Sequence, residues 1–287
     1  MGPKSAVVCS IRHGGPPGQS FGRPKLDPDE FAARRQAAET VARDAGQLAQ
    51  SYLADRRTLK VARKGPQDVV TEADSAVERM IIATLRSGYP GDTFIGEEGG
   101  GAVGERCWVI DPIDGTTNFA RGLPHWCVSI ALVVAGRTEV GVIFDPNADL
   151  LYSAQRGAGA RCNNTLIQVS GTTEVAGAMV DVGYSSRTGI EDFGTMVTAL
   201  LQSGVNVTQA GSAALGLARV ADGRLDGYAE RHLYAWDVLA GLLLVEEAGG
   251  CVNEFLAGNS LTTGNETIAA TPALYAVLAA MLMMRRV

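Results

Sequence analysis

Hydrophobic and polar positions alternate along the chain in a way that predicts helices first and strands after them. Residues 27–30 supply an N-cap aspartate, a proline at the first helical position and a glutamate at the third. An Ala-rich helix is therefore predicted from there to about Leu59. A second helix is predicted from Ala73 to about Arg86, because Gly88-Tyr89-Pro90 ends its pattern.

The middle of the chain is typical of strands. Apolar runs separated by Gly-Arg and Asp-Pro-Asn turns predict strands at residues 93–95, 107–110, 127–134, 139–145 and 151–155. Consecutive strands with such short turns predict a meandering sheet. The remaining chain alternates strand and helix, with strands predicted at 178–182, 206–209 and 251–253 and helices at 190–203, 213–222, 237–248 and after Thr271-Pro272.

This order of elements predicts an α/β (α+β) chain organised in three parts. Residues 1–26 are rich in glycine and proline and indicate a flexible N-terminal extension. Residues 27–175 form the first, α+β half, and residues 176–287 form the second, α/β half. An active site is expected in the cleft between the two halves, since ligand sites concentrate where such units meet.

Composition narrows the class of partner. The 287 residues are 46% hydrophobic and 20% charged, which is typical of a globular chain with a substantial core. A formal net charge of −6 argues against broad attraction to nucleic acid, so no nucleic-acid partner is expected. Five cysteines without paired spacing indicate neither a disulfide framework nor a zinc site. Without an apolar run of signal-peptide or membrane-span length, a cytoplasmic location away from membranes is expected.

The strongest chemical signal lies at residues 108–118, where an apolar run ends in Asp111, Pro112 and Asp114, followed by a Gly-Thr turn. Two carboxylates at the end of a buried strand are unfavourable unless a cation neutralises them. The pair is therefore a candidate metal site, although an isolated Asp-Pro more often marks a turn.

Two further acidic positions extend this candidate. Glu97 follows a second short apolar run and is surrounded by glycines, and Asp237 lies where the Ala/Leu-rich helix is expected to begin. Glu97 alone is also compatible with a solvated loop, and Asp237 alone with a helix cap. Together with Asp111 and Asp114 they form the all-oxygen donor set that Mg²⁺ prefers, and the set contains no thiolate that would favour Zn²⁺.

The joint pattern resembles the inositol monophosphatase family, within the superfamily of Mg²⁺-dependent, Li⁺-sensitive sugar and nucleotide phosphatases. The resemblance runs in order through roughly residues 30–284. Its motifs are residues 68–74, 96–98, 111–119, 211–214 and 236–250. It implies a layered α-β-α-β-α fold with two sheets and an active site between the halves.

The resemblance also implies a ligand set for two to three Mg²⁺ ions. Glu97, Asp111 and the backbone carbonyl of Ile113 would hold the first ion. Asp111, Asp114 and Asp237 would hold the second, so that Asp111 bridges the two. The carboxylates and one carbonyl provide only oxygen ligands, as a hard cation requires.

Further positions match residues that orient the attacking water and bind the phosphate in the family. Thr116, together with Glu97, would orient the attacking water, and Asp74 would accept a hydrogen bond from Thr116. Gly115 and Thr116 would offer backbone N–H groups to the phosphate at a helix N-terminus, where unpaired donors favour an anion. The two residues that follow Thr117, Asn118 and Phe119, are expected in the helix interior and the core.

Substrate selection in the family comes from the second half of the chain. Glu230 lies seven residues before Asp237, where the family has an acid that accepts hydrogen bonds from inositol hydroxyls. A surface salt bridge is the alternative interpretation of Glu230. Ser185 and Ala213 match positions near the inositol ring.

The resemblance implies Mg²⁺-dependent hydrolysis of a phosphate monoester by metal-activated water, with myo-inositol monophosphate as the expected substrate and a homodimer as the expected assembly. Fructose-1,6-bisphosphatase, histidinol-phosphate phosphatase and adenosine 3′,5′-bisphosphate phosphatase are alternatives within the superfamily. A regulatory binding protein is the alternative from another class, since some relatives of this kind are linked to RNA processing through protein partners.

Overall fold

The structure is a computed structural model, and it describes residues 28–54, 57–65 and 68–283. The predicted N-terminal extension, residues 1–26, lies outside the described residues. Every helix in the described part of the chain is either too short or too polar to cross a lipid bilayer.

Eight helices are present in the described residues. They are α1 (Pro28–Ala54), α2 (Glu72–Gly88), α3 (Thr116–Arg121), α4 (Ile190–Gln202), α5 (Ala213–Ala221), α6 (Ala235–Glu247), α7 (Ser260–Thr263) and α8 (Pro272–Met283).

Most strands of the described residues belong to two large sheets. Those of the first half are β1 (Val61–Gly65), β2 (Asp68–Thr71), β3 (Thr93–Gly96), β4 (Gly100–Gly101), β5 (Arg106–Asp114), β6 (Cys127–Val134), β7 (Arg137–Asp145), β8 (Leu150–Gln155), β9 (Ala160–Cys162) and β10 (Thr165–Leu166). Those of the second half are β11 (Met179–Val182), β12 (Asn206–Thr208), β13 (Gly227–Leu233), β14 (Cys251–Val252) and β15 (Asn265–Ala270).

The larger sheet has eight strands in the order β10-β9-β8-β7-β6-β5-β3-β4. The strands from β5 to β10 pair antiparallel with their sequence neighbours, which confirms the predicted meander, whereas β3 runs parallel to β5. The smaller sheet has the order β12-β11-β13-β15-β14, with β11 parallel to both of its neighbours. A separate hairpin of β1 and β2 precedes α2.

The layered arrangement of the fold is set by the sheet faces that the helices cover. Helices α1 and α2 pack on one face of the larger sheet, and α5 and α6 pack between the two sheets. Helices α4 and α8 cover the outer face of the smaller sheet. Three hydrophobic clusters fill these interfaces, so the α-β-α-β-α arrangement expected from the resemblance is confirmed.

Burial explains why the central elements are apolar on all sides. Every residue of β6 is buried because helices cover both faces of the larger sheet. Helix α6 is buried around almost its whole circumference because it contacts both sheets. The two halves therefore share the core between the sheets, and a division near residue 175 stays a prediction.

Several element boundaries differ from the predicted ones. The last described residue of α1 is Ala54, before the predicted end at Leu59. Strand β5 continues through Asp114 rather than ending at Ile110. The sequence pattern did not indicate β13 or β15, whose mixed polar and apolar residues obscure the alternation.

Candidate active site

A β-bulge at the end of β5 creates the acidic centre. Asp111 pairs with Ser129 of β6 and Asp114 pairs with Cys127, so three residue steps on β5 face two steps on β6. Pro112 lies inside this stretch, and proline cannot donate to the ladder. Residues three apart on a regular strand point to opposite faces, and the extra residue of a bulge changes that alternation.

The bulge and α6 bring three carboxylates together. Oxygens of Asp111, Asp114 and Asp237 all lie within 4.8 Å of one another. Burial raises the pKa of Asp111 well above its ordinary value, and the charges of Glu97, Asp114 and Asp237 raise it further. The pKa of Asp237 is raised by burial and by the charges of Glu97 and Asp114. The cluster therefore favours a bound cation or proton.

Asp114 also joins β5 to α5. Its Oδ2 accepts hydrogen bonds from the Ser212 hydroxyl and from the Ala214 backbone N–H, the latter at 2.8 Å. Burial raises the pKa of Asp114 to about 6, although these hydrogen bonds act in the opposite direction. Ser212 also caps α5 through the Leu215 N–H. The sequence motif at 211–214 contains Ser212, but its contact with Asp114 was not predicted.

Asp237 caps α6 and also contributes to the acidic cluster. Its Oδ2 accepts a hydrogen bond of 2.7 Å from the Tyr234 backbone N–H, which lies just before the helix. Helix α6 begins at Ala235, so Asp237 is the third helical residue rather than the first. The two interpretations that the sequence left open, a cap and a cation ligand, are therefore geometrically compatible.

Glu97 follows β3 and lines the same cavity as Asp237. The buried side chain of Glu78, on α2, accepts hydrogen bonds from the backbone N–H groups of Glu98 and Gly99 at 2.9 and 2.7 Å. The Glu97 N–H donates to the carbonyl of Ile110 at 3.2 Å. Glu78 thus fixes the loop that carries Glu97, a role that the sequence pattern did not predict.

Asp74 and Thr116 lie together beside this cluster. The Thr116 hydroxyl is 3.2 Å from Asp74 Oδ1 and 3.0 Å from the Ile113 carbonyl oxygen. Asp74 Oδ2 accepts from the Thr71 N–H at 2.8 Å and from its hydroxyl at 2.5 Å. Burial raises the pKa of Asp74 to about 6, against the effect of these hydrogen bonds. The contact between Asp74 and Thr116 is the one that the resemblance implied.

The turn before α3 requires a glycine. Gly115 has φ of 97°, in the left-handed region, and a Cβ there would lie 2.7 Å from the carbonyl oxygen of His125. Asn118 follows in α3, and its side-chain amide donates to the carbonyls of His125 and Ala210 at 2.7 and 2.9 Å. The amide therefore connects α3 to the loop before α5. Phe119 is buried in the core as expected.

A cavity of about 410 Å³ opens beside the cluster and contains Glu230. Glu230 is 7% exposed and accepts a hydrogen bond of 2.7 Å from the Tyr228 hydroxyl. Its burial excludes the surface salt bridge that the sequence left open. Burial raises the pKa of Glu230 to about 7, against the effect of the Tyr228 hydrogen bond.

The other two substrate candidates occupy adjoining positions. Ser185 is buried and lines the same cavity as Glu230. Ala213 lines a neighbouring cavity of about 230 Å³, which shares Glu230 and Asp237 with the first. The site residues predicted from the sequence thus lie in the cluster, in the strand end and turn beside it, or along these two cavities, except Asp74, which is on α2 and contacts Thr116.

The donor set fits a hard divalent cation. Three carboxylates have oxygens within 4.8 Å of one another, with Asp111 and Asp114 buried and Asp237 half-buried, so their mutual repulsion favours neutralisation by a cation. Every candidate ligand is an oxygen. The structure describes four of the five cysteines, and all four carry free thiols. Of these, Cys127 lies 3.8 Å from Asp114 Oδ2, where it is a hydrogen-bonding neighbour.

The structure has five alternating layers and a carboxylate cluster beside a polar cavity. These features define a class of mixed α/β proteins with a candidate metal site between two sheets. The chain belongs to the inositol monophosphatase family, whose model matches residues 32–284. This match confirms the resemblance inferred from the motifs.

Relatives and solved structures agree on this family. The chain is 43% identical to the Nus factor SuhB of Pasteurella multocida over 238 residues, which are 81% of this chain and 89% of that protein. The extragenic suppressor protein suhB of Bartonella henselae has a TM-score of 0.83 at 32% identity, covering 89% of this chain and 100% of that one. The inositol monophosphatase of Anabaena has a TM-score of 0.76 at 35% identity, covering 89% and 97%.

Proposed function

We propose that the chain is a Mg²⁺-dependent phosphomonoesterase acting on myo-inositol monophosphate or a related sugar or polyol phosphate. The observation that carries this proposal is the position of the buried Asp111–Asp114–Asp237 cluster beside a cavity that contains Glu230. A charged cluster with its cation suits a phosphate, and the buried acid of the adjoining cavity suits hydroxyl groups. The family to which the chain belongs supports the same reaction.

The residues that would hold Mg²⁺ are Glu97, Asp111, the Ile113 carbonyl, Asp114 and Asp237. Bound Mg²⁺ supplies positive charge for the phosphate oxygens and lowers the pKa of bound water. We propose two to three ions, as the resemblance implies. The chain itself contributes the fixed position of each carboxylate, since hydrogen bonds from Ser212 and Tyr234 hold Asp114 and Asp237.

The Asp74–Thr116 pair would position the attacking water. When Asp74 is ionised it accepts a hydrogen bond from the Thr116 hydroxyl, which leaves the oxygen lone pairs of Thr116 free to accept from a water molecule. Glu97, on the loop fixed by Glu78, would accept a proton of that water. The first-turn N–H groups at Gly115 and Thr116 would contact the phosphate, because such groups lack a helical acceptor.

Glu230 would recognise the alcohol side of the ester. An ionised carboxylate only accepts hydrogen bonds, so it binds hydroxyl groups and repels a second anion. Ser185 would offer its hydroxyl beside the ring, and Ala213 would leave room for it. In this proposal residues 27–175 supply the metal ligands other than Asp237, and residues 176–287 supply recognition. A homodimer stays a prediction.

Phosphate release tests the proposal. Inositol-1-phosphate, fructose-1,6-bisphosphate, histidinol phosphate and adenosine 3′,5′-bisphosphate should each be assayed with Mg²⁺, with EDTA and with added Li⁺. We expect Mg²⁺-dependent release that favours inositol-1-phosphate and is inhibited by Li⁺. Preference for another ester would be compatible with the metal site but would contradict the proposed role of Glu230. If none of the four compounds releases phosphate, the proposal that the chain is a phosphatase is wrong.

A second candidate function is that of a regulatory binding protein. The relative from Pasteurella multocida and that of Escherichia coli K12, 42% identical over 234 residues, are both named Nus factor SuhB. That name does not fit the expectation that the chain has no nucleic-acid partner, which rested on its net charge. A net charge of −6 favours contact through a protein rather than direct binding to nucleic acid.

The two functions can be separated with one variant. An Asp111→Asn protein should lose phosphate release but retain any stoichiometric macromolecular partner recovered with the wild-type chain. Loss of both properties would show that the partner depends on the metal site. Recovery of no partner, together with normal phosphate release, would remove the second candidate.

A further inference from the structure

A buried tyrosine lies behind the acid that we assign to substrate recognition. Tyr228 and Glu230 are two residues apart on β13, so their side chains point to the same face of the smaller sheet. Tyr228 is 2% exposed, and its hydroxyl donates to Glu230 Oε2 at 2.7 Å. Burial and the charge of Glu230 raise the pKa of Tyr228 well above its ordinary value. The phenol therefore stays protonated and acts as a hydrogen-bond donor.

Two neighbouring elements fix the ring of Tyr228. On β11, Asp181 pairs in register with Tyr228, and Asp181 is itself buried and accepts a hydrogen bond of 2.9 Å from the Thr208 hydroxyl. On α5, Gly216 leaves room for the ring, because a Cβ there would lie 2.6 Å from Tyr228 Cδ2. The tyrosine hydroxyl is therefore presented from a fixed position.

The hydrogen bond from Tyr228 places the two oxygens of Glu230 in different surroundings. Oε2 lies between the Tyr228 hydroxyl and the backbone of Gly183, where an added Cβ would be 1.6 Å from Oε2 and 2.8 Å from the hydroxyl oxygen. Among the described residues no donor binds Oε1, and Glu230 lines both adjoining cavities. One oxygen is thus occupied by the protein, and the other is left for a ligand.

The groups around Glu230 act on its charge in opposite directions. Burial raises the pKa of Glu230, and the charges of Asp114 and Asp181 raise it further, whereas the Tyr228 hydrogen bond and the charge of Arg187 lower it. Of these four residues, Tyr228 is the one that donates a hydrogen bond to the carboxylate. Tyr228 therefore both favours the ionised form, which accepts hydrogen bonds, and fixes its direction.

We propose that Tyr228 is a positioning residue for substrate recognition, which holds Glu230 Oε2 against Gly183 and so directs Oε1 at a hydroxyl group of a polyol phosphate. The proposal rests on the proposed phosphatase function and assigns the preference for a polyol to a residue that acts through Glu230. Without the phenol hydroxyl, the carboxylate would lose its fixed direction, and a group that must be ordered on binding gives a weaker affinity. The carboxylate cluster and its contacts with the phosphate would be unchanged.

Affinity measurements with two ligands test this role. Titration calorimetry with Ca²⁺ in place of Mg²⁺ compares inositol 1-phosphate, which carries hydroxyl groups, with inorganic phosphate, which contains no polyol. We expect Tyr228→Phe to weaken the binding of inositol 1-phosphate by about 3- to 10-fold, as loss of one hydrogen bond does, and to leave the binding of inorganic phosphate unchanged. Equal weakening for both ligands would show a general defect of the fold and would overturn the proposal.

Tyr152→Phe is the matched control. Tyr152, on β8, is 1% exposed and donates to Asp222 Oδ2 at 2.9 Å, so this substitution also removes a buried bond from a tyrosine to a carboxylate. Tyr152 lies outside the lining of both cavities and should change neither affinity. In phosphate release, Tyr228→Phe should raise KM for inositol 1-phosphate with little change in kcat. An equal rise of KM in Tyr152→Phe would contradict the role of Tyr228.

Double-mutant cycles identify the residue through which Tyr228 acts. In a chain that already carries Glu230→Ala, Tyr228→Phe should weaken the binding of inositol 1-phosphate no further, because the carboxylate that Tyr228 positions is absent. Gly183→Ala removes the space for Oε2 and should weaken binding in the wild-type chain but not in the Glu230→Ala chain. Losses that add fully in both cycles would overturn the proposal.

The outcomes separate this proposal from the proposed phosphatase function. If the wild-type chain releases phosphate from inositol 1-phosphate and Tyr228→Phe binds that ester equally well, only the role of Tyr228 is wrong. If binding depends on Tyr228 but no phosphate is released, the role stands and the phosphatase function is wrong. If the wild-type chain binds inorganic phosphate but not inositol 1-phosphate, the proposed substrate class is wrong and the role of Tyr228 fails with it.

Discussion

The cavity has two sides built in different ways. The proposed metal floor is formed by Glu97, Asp111, Asp114 and Asp237. Asp111 and Asp114 are buried, Glu97 and Asp237 are half-buried, and hydrogen bonds from neighbouring elements hold Asp114 and Asp237. The recognition wall, formed by residues 184–187 and 230–236, is more exposed and held by a turn and an aromatic stack. Rigid positioning suits a reaction at phosphorus, whereas an exposed wall can change its substrate without disturbing that reaction.

The largest effect is expected on the metal floor. Asp111→Asn should lower phosphate release by about 1,000-fold or more, since removal of a charged ligand to a catalytic metal removes about 4 kcal/mol of transition-state stabilisation. Asp44→Asn, on the exposed side of α1, is the control and should retain full activity. If Asp111→Asn releases phosphate at the wild-type rate, the proposed role of the carboxylate cluster in catalysis is wrong.

The same Asp111→Asn substitution, although it lowers activity, should raise the melting temperature of the metal-free protein. Asp111 is buried among like charges that raise its pKa. Without metal, neutralising it relieves that repulsion, so metal-free Asp111→Asn should melt above the metal-free wild-type chain. A lower melting temperature would show that its hydrogen bond to the Ile113 N–H outweighs the repulsion.

On the recognition wall, Glu230→Gln should raise KM for a polyol phosphate by about tenfold with little change in kcat, because a hydrogen-bond acceptor for hydroxyl groups is weakened. A fall in kcat with an unchanged KM would contradict this role.

Glu230 also predicts a pH dependence of stability. Its pKa is raised from 4.5 to about 7 in the folded chain, so the folded state binds the extra proton and becomes less stable as pH rises between these values. In urea unfolding of metal-free protein, Glu230→Gln should match wild type near pH 4 and exceed it at pH 8, by about 3 kcal/mol at most. A difference independent of pH would contradict the shifted pKa.

On α3, Asn118→Leu should reduce the free energy of unfolding by about 1–3 kcal/mol, since it leaves the carbonyls of His125 and Ala210 without their donor. Asn147→Ala, on an exposed turn, is the control. Unchanged unfolding of Asn118→Leu by urea would show that the halves do not depend on this amide.

A smaller effect is expected for Ser212→Ala, which loses the cap of α5 and one donor to Asp114. Loss of a cap costs about 1 kcal/mol. Thermal melting should show this loss, and Ser212→Thr, which keeps the hydroxyl, should restore most of it. Equal melting of both variants would indicate that the hydroxyl contributes little.

The acidic motifs could be predicted because their signals are local. Asp111 and Asp114 end an apolar run, and Glu97 and Asp237 adjoin apolar segments, so the residue types alone indicated metal chemistry. Nothing local indicated β13, the partner Ser212 of Asp114, or the Glu78 side chain behind the Glu97 loop. These contacts join residues 20 to 98 positions apart.

Short segments of the sequence were enough to predict the order of most elements, an oxygen-only set of candidate ligands and the family, because apolar periodicity and residue type are local properties. Tertiary structure alone decided that a bulge and a helix cap bring Asp111, Asp114 and Asp237 within 4.8 Å of one another. It also decided that Arg187 lies over Tyr234 in the lining of the same cavity as Asp237. Such distances depend on how two sheets pack through a shared layer of helices, and no short segment encodes that packing.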